Sequence, residues 1–194
     1  MGMAFVCGKK RVPKPAAAIT AFLTFFSDIR QYCKPLAYQT KERTIITPMD
    51  LVDVDPFSEQ ALYQTAEQLY ADLLYHNFGH ARDDVLPAAL SLADKCEENG
   101  QPVNRRVLVA AALFHDAGFH INSSDRFKSK EDYSQYIADH VLPWLGYTEE
   151  EIGQVNICIA GTERGNTCPT IESKILRRSD IFNVSQDKVR FLTS

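Results

Sequence analysis

The stretch from Val107 through Leu108, Val109, Ala110, Ala111, Ala112 and Leu113 to Phe114 is apolar at every position, and it runs straight into His115 and Asp116. Within the longer segment from Val103 to about Ala117 it predicts a helix that is hydrophobic on most faces. Such a helix belongs in the middle of a domain, covered by other elements on nearly every side. Gly118 is placed to close it. The chain therefore has to supply partners for a buried central helix, and it has to satisfy a histidine and a carboxylate at that helix's buried end.

The partners are legible as further helices. A first one is expected from Pro15 to about Tyr32, stopped by Pro35, followed by a long connection over Leu36 to Val54. Asp55-Pro56, a cap residue followed by a proline, opens the next, with apolar positions Leu62, Ala66, Leu69, Leu73 and Leu74 at three- and four-residue spacing. Ala81 to Glu98 ends before Asn99-Gly100, a C-terminal stop. Another helix covers Glu131 to Leu145. Thr148 to Glu151 is a capping box opening one that holds Ile152, Val155, Ile157 and Ile159. A last helix holds Ile175, Leu176, Ile181 and Val184. No segment alternates as a strand would, so the fold class is all-α: a helical domain over 55–194 behind an N-terminal extension, 1–54, of helix plus connection.

Composition narrows the function. At 194 residues the chain buries roughly 70% of its unfolded surface, so neither disulfides nor a metal is needed merely to hold a core. Lys plus Arg number 21 against 25 Asp plus Glu, a net charge of −4, which argues against a dedicated nucleic-acid surface. Five cysteines without a C-x-x-C pair read as reduced thiols. Lys9, Lys10, Arg11 and Lys14 before the apolar run Ala16 to Phe26 resemble the start of a signal peptide, but Ser27, Asp28, Ile29 and Arg30 follow where a small-residue cleavage site is required. The run is also shorter than the roughly 20 residues of a membrane span. Gly2 lacks the Ser or Thr of a myristoylation signal, since Val6 stands there. The expectation is a cytoplasmic protein with no membrane partner.

All five histidines fall between positions 76 and 140. His76 and His80, four apart, are expected on one helical face. His115-Asp116 ends the central helix, and Asp180 lies in a later one, amid Ser179, Ile181 and Phe182. A lone His-Asp pair arises often by chance. Four such residues on otherwise apolar helices are harder to dismiss, because a buried carboxylate is costly without a partner and a divalent cation is one answer.

The order His80, His115-Asp116, Asp180 resembles the H…HD…D signature of the HD-domain metal-dependent phosphohydrolase superfamily. Residues 75–85, YHNFGHARDDV, are similar to the Y-H-N-x-x-H-A-x-D-V segment of cyclic-nucleotide phosphodiesterases, with one extra residue before the valine. LFHDAGF at 113–119 and RRSDIFNV at 177–184 resemble the second and third segments, and the likeness spans roughly 55–190. It implies an HD-domain helical bundle and one divalent metal ion (Zn, Mn, Fe, Mg, Co or Ni) held by His80, His115, Asp116 and Asp180. It implies that His76 protonates the leaving oxygen, near the metal without ligating it. Asn77 would orient phosphate or support a ligand.

Lys130 and Arg164 are candidates to meet the phosphate. Phe119 stands where some members carry Glu or His, and Lys130-Glu131 where two-metal relatives carry His-Glu. Those departures favour one metal and leave Glu131 a weak candidate for the water-activating base. The expected function is a metal-dependent phosphohydrolase acting on a nucleotide or another small phosphoester. The alternatives are a catalytically degenerate HD module that binds metal or nucleotide and regulates a partner, and, ranked last, a di-iron oxygenase needing more histidine ligands than the chain places.

Overall fold

The structure is a computed structural model that describes residues 55, 57–71, 73–119 and 127–181. The expected first helix, the connection after it, His120, Phe182 and Val184 lie outside the described residues. Among the described residues the fold is all-α, with no strand.

Helix α1, Glu59–Leu69, is capped by Ser58, whose Oγ accepts from the Ala61 amide at 3.2 Å. It starts later than the cap signal at Asp55 suggested. Asp55 caps a turn instead: its Oδ1 accepts from Phe57 N–H at 3.0 Å and its carbonyl from Ser58 N–H at 2.9 Å. The helix also ends earlier. Leu62, Ala66 and Leu69 are buried as the spacing predicted, but Tyr70 turns extended and Leu73 and Leu74 fall outside the helix, Leu74 fully exposed. The same break takes His76 off any helix, into the bends at 74–77.

A π-helical segment, His80–Val85, runs into α2, Leu86–Glu98. That helix closes where Asn99-Gly100 predicted. Gly100 takes φ +75°, with Gln101 N–H donating to Cys96 O and Gly100 N–H to Glu97 O, the paired bonds of a Schellman cap. Helix α3, Arg105–Phe114, follows its N-cap Asn104. Val107, Leu108 and the run Ala110 to Phe114 are wholly inaccessible, and α3 packs against α1, α2 and the two helices after it. It is the middle of the domain, though it ends at Phe114, three residues before the expected Ala117.

Helix α4, Lys130–Val141, continues into a 3-10 turn, Leu142–Leu145, closed by Gly146. The Thr148/Glu151 capping box is present and opens α5, Glu149–Thr162. Its inner face is Ile152, Val155, Cys158 and Ile159, while Ile157 stays partly exposed. A sixth helix, α6, covers 171–181. Thr170 caps it, its Oγ1 accepting from Ser173 N–H at 3.1 Å while Ser173 Oγ accepts from Thr170 N–H at 3.1 Å. Ile175, Leu176 and Ser179 face inward and Ile181 faces out. None of these helices is long and apolar enough to cross a membrane.

Two predictions follow from the burial pattern. Leu108→Ala in α3 should lower stability by about 2–5 kcal/mol in urea unfolding, against less than about 1 kcal/mol for Ile157→Ala on the outer face of α5. Burial, with the charge of Glu172 adding to it, pushes the Cys158 thiol up to about 12. Among the described cysteines, a thiol reagent at pH near 8 should therefore modify the half-buried Cys96 and Cys168 first and leave Cys158 untouched until the protein unfolds, as peptide mass mapping would read.

Candidate metal centre

The site is built around the turn that ends α3. His115 is the C-cap residue, still in helical backbone, and its Nδ1 lies 2.8 Å from the Ala112 carbonyl oxygen. A carbonyl only accepts, so Nδ1 carries a proton and Nε2 faces away from the helix toward the carboxylates, where a bound ion would take its lone pair in place of a proton. The next residues turn tightly, with Ala117 N–H on Phe114 O and Phe119 N–H on Asp116 O. Gly118 presses this turn onto α4: its N–H donates to the buried Ser134 Oγ at 2.8 Å, and a Cβ there would stand 2.3 Å from the Lys130 carbonyl oxygen. The Asp116 amide donates to Tyr70 Oη at 3.3 Å, which is where the early end of α1 puts that buried phenol.

Three other segments converge on this turn. His80, at the start of the π-helical segment, places Nε2 3.4 Å from Asp180 Oδ1. Asp180, on α6, lies 3.8 Å from His115 Nε2, which is itself 3.2 Å from Asp116 Oδ2. His76 Nδ1 sits 2.7 Å from the same Asp116 oxygen. Tyr75 lies against both His76 and His80, with ring centroids 4.9 and 4.5 Å away.

His80, His115 and Asp116 are all buried and offer ligand atoms within 4.8 Å of one another, a group able to hold a metal ion. Atoms bonded to one ion at about 2.1 Å lie about 3.0 Å apart at octahedral right angles and about 3.4 Å apart at tetrahedral angles. The contacts of 3.2 and 3.4 Å lie within that range and the 3.8 Å contact lies beyond it. The donor chemistry fits as well. Two imidazoles and a carboxylate are ordinary donors to a divalent ion, and His115 Nε2 is a buried nitrogen without a hydrogen-bond partner.

The charges are strongly coupled. Burial alone would lower the His115 pKa, but the adjacent Asp116 and Asp180 carboxylates override it and raise it well above the usual imidazole range. Burial opposes ionisation of Asp116 too, yet His115 and His76 hold that carboxyl well below its ordinary value. Asp180, also working against burial, is brought down to about 2 by His115 and His80.

The remaining sequence-derived residues fall in different places. His76 is one-third exposed and stacks on Phe119 at 3.7 Å, and the Lys130 ammonium lies 4.4 Å from the centre of that same ring. Lys130 is thus brought beside the cluster. Asn77 is engaged with backbone: its amide nitrogen donates to Leu73 O at 2.9 Å and its Oδ1 accepts from His80 N–H at 3.0 Å, so it braces the loop that delivers His80. Arg164 is exposed in the turn after α5. His140 is exposed on α4, against Tyr136. Glu131 is half-buried in the first turn of α4.

Sequence reasoning did not pick out Tyr70, Asp84 or Ser134. Asp84 had a visible signal, a carboxylate four residues after His80, and its Oδ2 lies 3.4 Å from His80 Nδ1. Tyr70 and Ser134 had none, because their roles arise only from tertiary contact.

The close approach at Gly118 gives a paired prediction. Gly118→Ala should cost about 1–3 kcal/mol, since its methyl meets backbone that cannot swing aside, and it should impair ion uptake by moving Asp116. Gly153→Ala, in open space on α5, should instead stabilise the protein by about 0.4–1 kcal/mol. Thermal melts with and without added metal compare the two. Comparisons of the chain with protein-family models, with curated proteins and with solved structures return no match, so the chemistry is argued from this geometry and from the sequence motifs.

Proposed function

We propose that the chain is an HD-type metal-dependent phosphohydrolase acting on a nucleotide or another small phosphoester. The observation that carries the reading is the convergence of His80, His115-Asp116 and Asp180, three places distant in sequence, with neighbouring donor atoms 3.2–3.8 Å apart. The π-helical turn at His80–Val85 supports it too. One residue beyond the phosphodiesterase-like pattern falls in this segment, and a π-turn is how a helix absorbs a single insertion.

His80, His115, Asp116 and Asp180 would hold the ion. A divalent cation bound there supplies Lewis acidity toward a phosphoryl oxygen and water. The protein's own groups do the rest. Three of the four are buried, so the approach for a substrate is from the side where His76 and Asp180 retain exposure. His76 is anchored through Nδ1 to Asp116, which leaves Nε2 as the atom to pass a proton to a leaving oxygen. Phe119 holds the ring flat from one side. Lys130, across that phenyl ring from His76, would supply a positive charge for the phosphate.

A second reading has its own observation. Phe119, a group without acid–base chemistry, occupies a position where some HD members carry Glu or His. A regulatory module that binds metal or nucleotide without turnover would look the same at the ligands.

Metal analysis of the purified chain combined with a panel of cyclic, mono- and triphosphate esters tests both. The expected outcome is about one divalent ion per chain and turnover that a chelator abolishes. His76→Ala should keep the ion and lose roughly 10²-fold or more in turnover, and Asp116→Ala should lose the ion. Lys130→Ala should raise KM more than it lowers kcat. An occupied site inert toward every ester would favour the regulatory module, and a chain that takes up no ion would end the phosphohydrolase reading and leave only a module that binds nucleotide.

A further inference from the structure

The two histidines of the cluster turn Nε2 toward its centre, so each has to keep its proton on Nδ1. For His115 the acceptor is the Ala112 carbonyl, within its own helix. His80 stands at the start of a helical segment, and the acceptor facing its Nδ1 is Asp84 Oδ2, at 3.4 Å. Two neighbouring carboxylates, Asp83 and Asp84, compete for that place in the sequence.

Helix geometry decides between them. In an α-helix, residues three and four positions on both lie near the starting face. A π-turn winds about 4.4 residues per turn, about 82° each, so the fourth residue returns to within about 35° of the first. By the same winding the third residue is carried more than about 100° away. The structure follows this. Asp84 lies over His80, whereas Asp83 points to solvent and is held by Arg82 through two contacts of 2.7 Å.

We propose that Asp84 is a positioning residue of the metal centre: by accepting from His80 Nδ1–H it fixes the tautomer and ring direction that leave Nε2 free as a ligand atom. The proposal rests on the reading of the cluster as a metal site. A carboxylate behind a metal-bound imidazole raises the basicity of the ligand nitrogen, and removing such a partner lowers metal affinity about 10–100-fold. Asp84 is half-exposed and its contact is long, which puts the expected loss at the low end, about tenfold.

The test is Co²⁺ binding by the full chain, measured by competition with a chelator, together with proton NMR of the Co²⁺-loaded protein. Asp84→Ala should weaken binding about tenfold, and Asp84→Asn, which keeps a carbonyl acceptor but no charge, should fall between it and wild type. Asp83→Ala should bind as wild type does. The loaded wild type should show two strongly shifted exchangeable Nδ1–H signals, one from each histidine. In Asp84→Ala the His80 signal should vanish by exchange with water while that of His115, sealed against Ala112, persists.

A fall in melting temperature with unchanged affinity and both signals intact would make Asp84 merely structural and overturn the proposal. Equal weakening by Asp83→Ala would overturn it as well. A wild-type chain that binds no Co²⁺ fails at the metal site itself and takes the proposal with it. One that binds Co²⁺ and is indifferent to Asp84 fails at the proposal alone.

Discussion

His115 has no exposed surface, and its ring stands between the carboxylates of Asp116 and Asp180 at the end of the buried central helix α3. Water cannot solvate that group, so the protein has to surround it with compensating atoms. Much of the neighbouring architecture can be traced to this demand. The Ala112 carbonyl takes one ring nitrogen, Asp116 and Asp180 lie beside the other, and Tyr70 takes the Asp116 amide that the turn leaves over. Gly118 permits the turn to lie tight enough against α4 for Ser134 to hold it. A change at any of these reaches the imidazole through a single intermediary.

The parts of this arrangement visible in the sequence are those governed by neighbours along the chain. The capping box at Thr148 and Glu151, the stop at Asn99-Gly100 and the apolar run into His115 are each decided within a few residues, and each is found where local chemistry put it. The misread end of α1 has a tertiary origin. Leu73 and Leu74 continue the helical spacing of α1, yet the chain leaves the helix at Tyr70, whose hydroxyl takes the Asp116 amide forty-six residues away. A tertiary bond outweighed a local periodicity, and His76 moved from a helix face to a loop as a result.

The candidate site divides along the same line. The residue types and their order came from the motifs, but their convergence is a product of packing and has no local signature. Asn77 shows the difference most clearly. Its place beside His76 suggested that it orients phosphate or supports a ligand, and its side chain is found on the backbone of Leu73 and His80. Phe119 reads in sequence as a missing acid or base, yet in space it is a flat wall between an imidazole and an ammonium group. An absence in one description is a built surface in the other.

The cluster draws on positions 80, 115, 116 and 180, so an ion held there would pin together stretches of chain thirty-five and sixty-four residues apart. Closing loops of that length in a flexible chain costs entropy that the bound ion would offset, and any ligand that favours the native state deepens its stability by mass action. Asp180 is the link from α6 to this cluster. The ion would therefore act as a clasp on the last described helix. Metal scarcity in a cell would then be felt first as faster proteolytic turnover of the chain, with the quantity of protein tracking the metal supply.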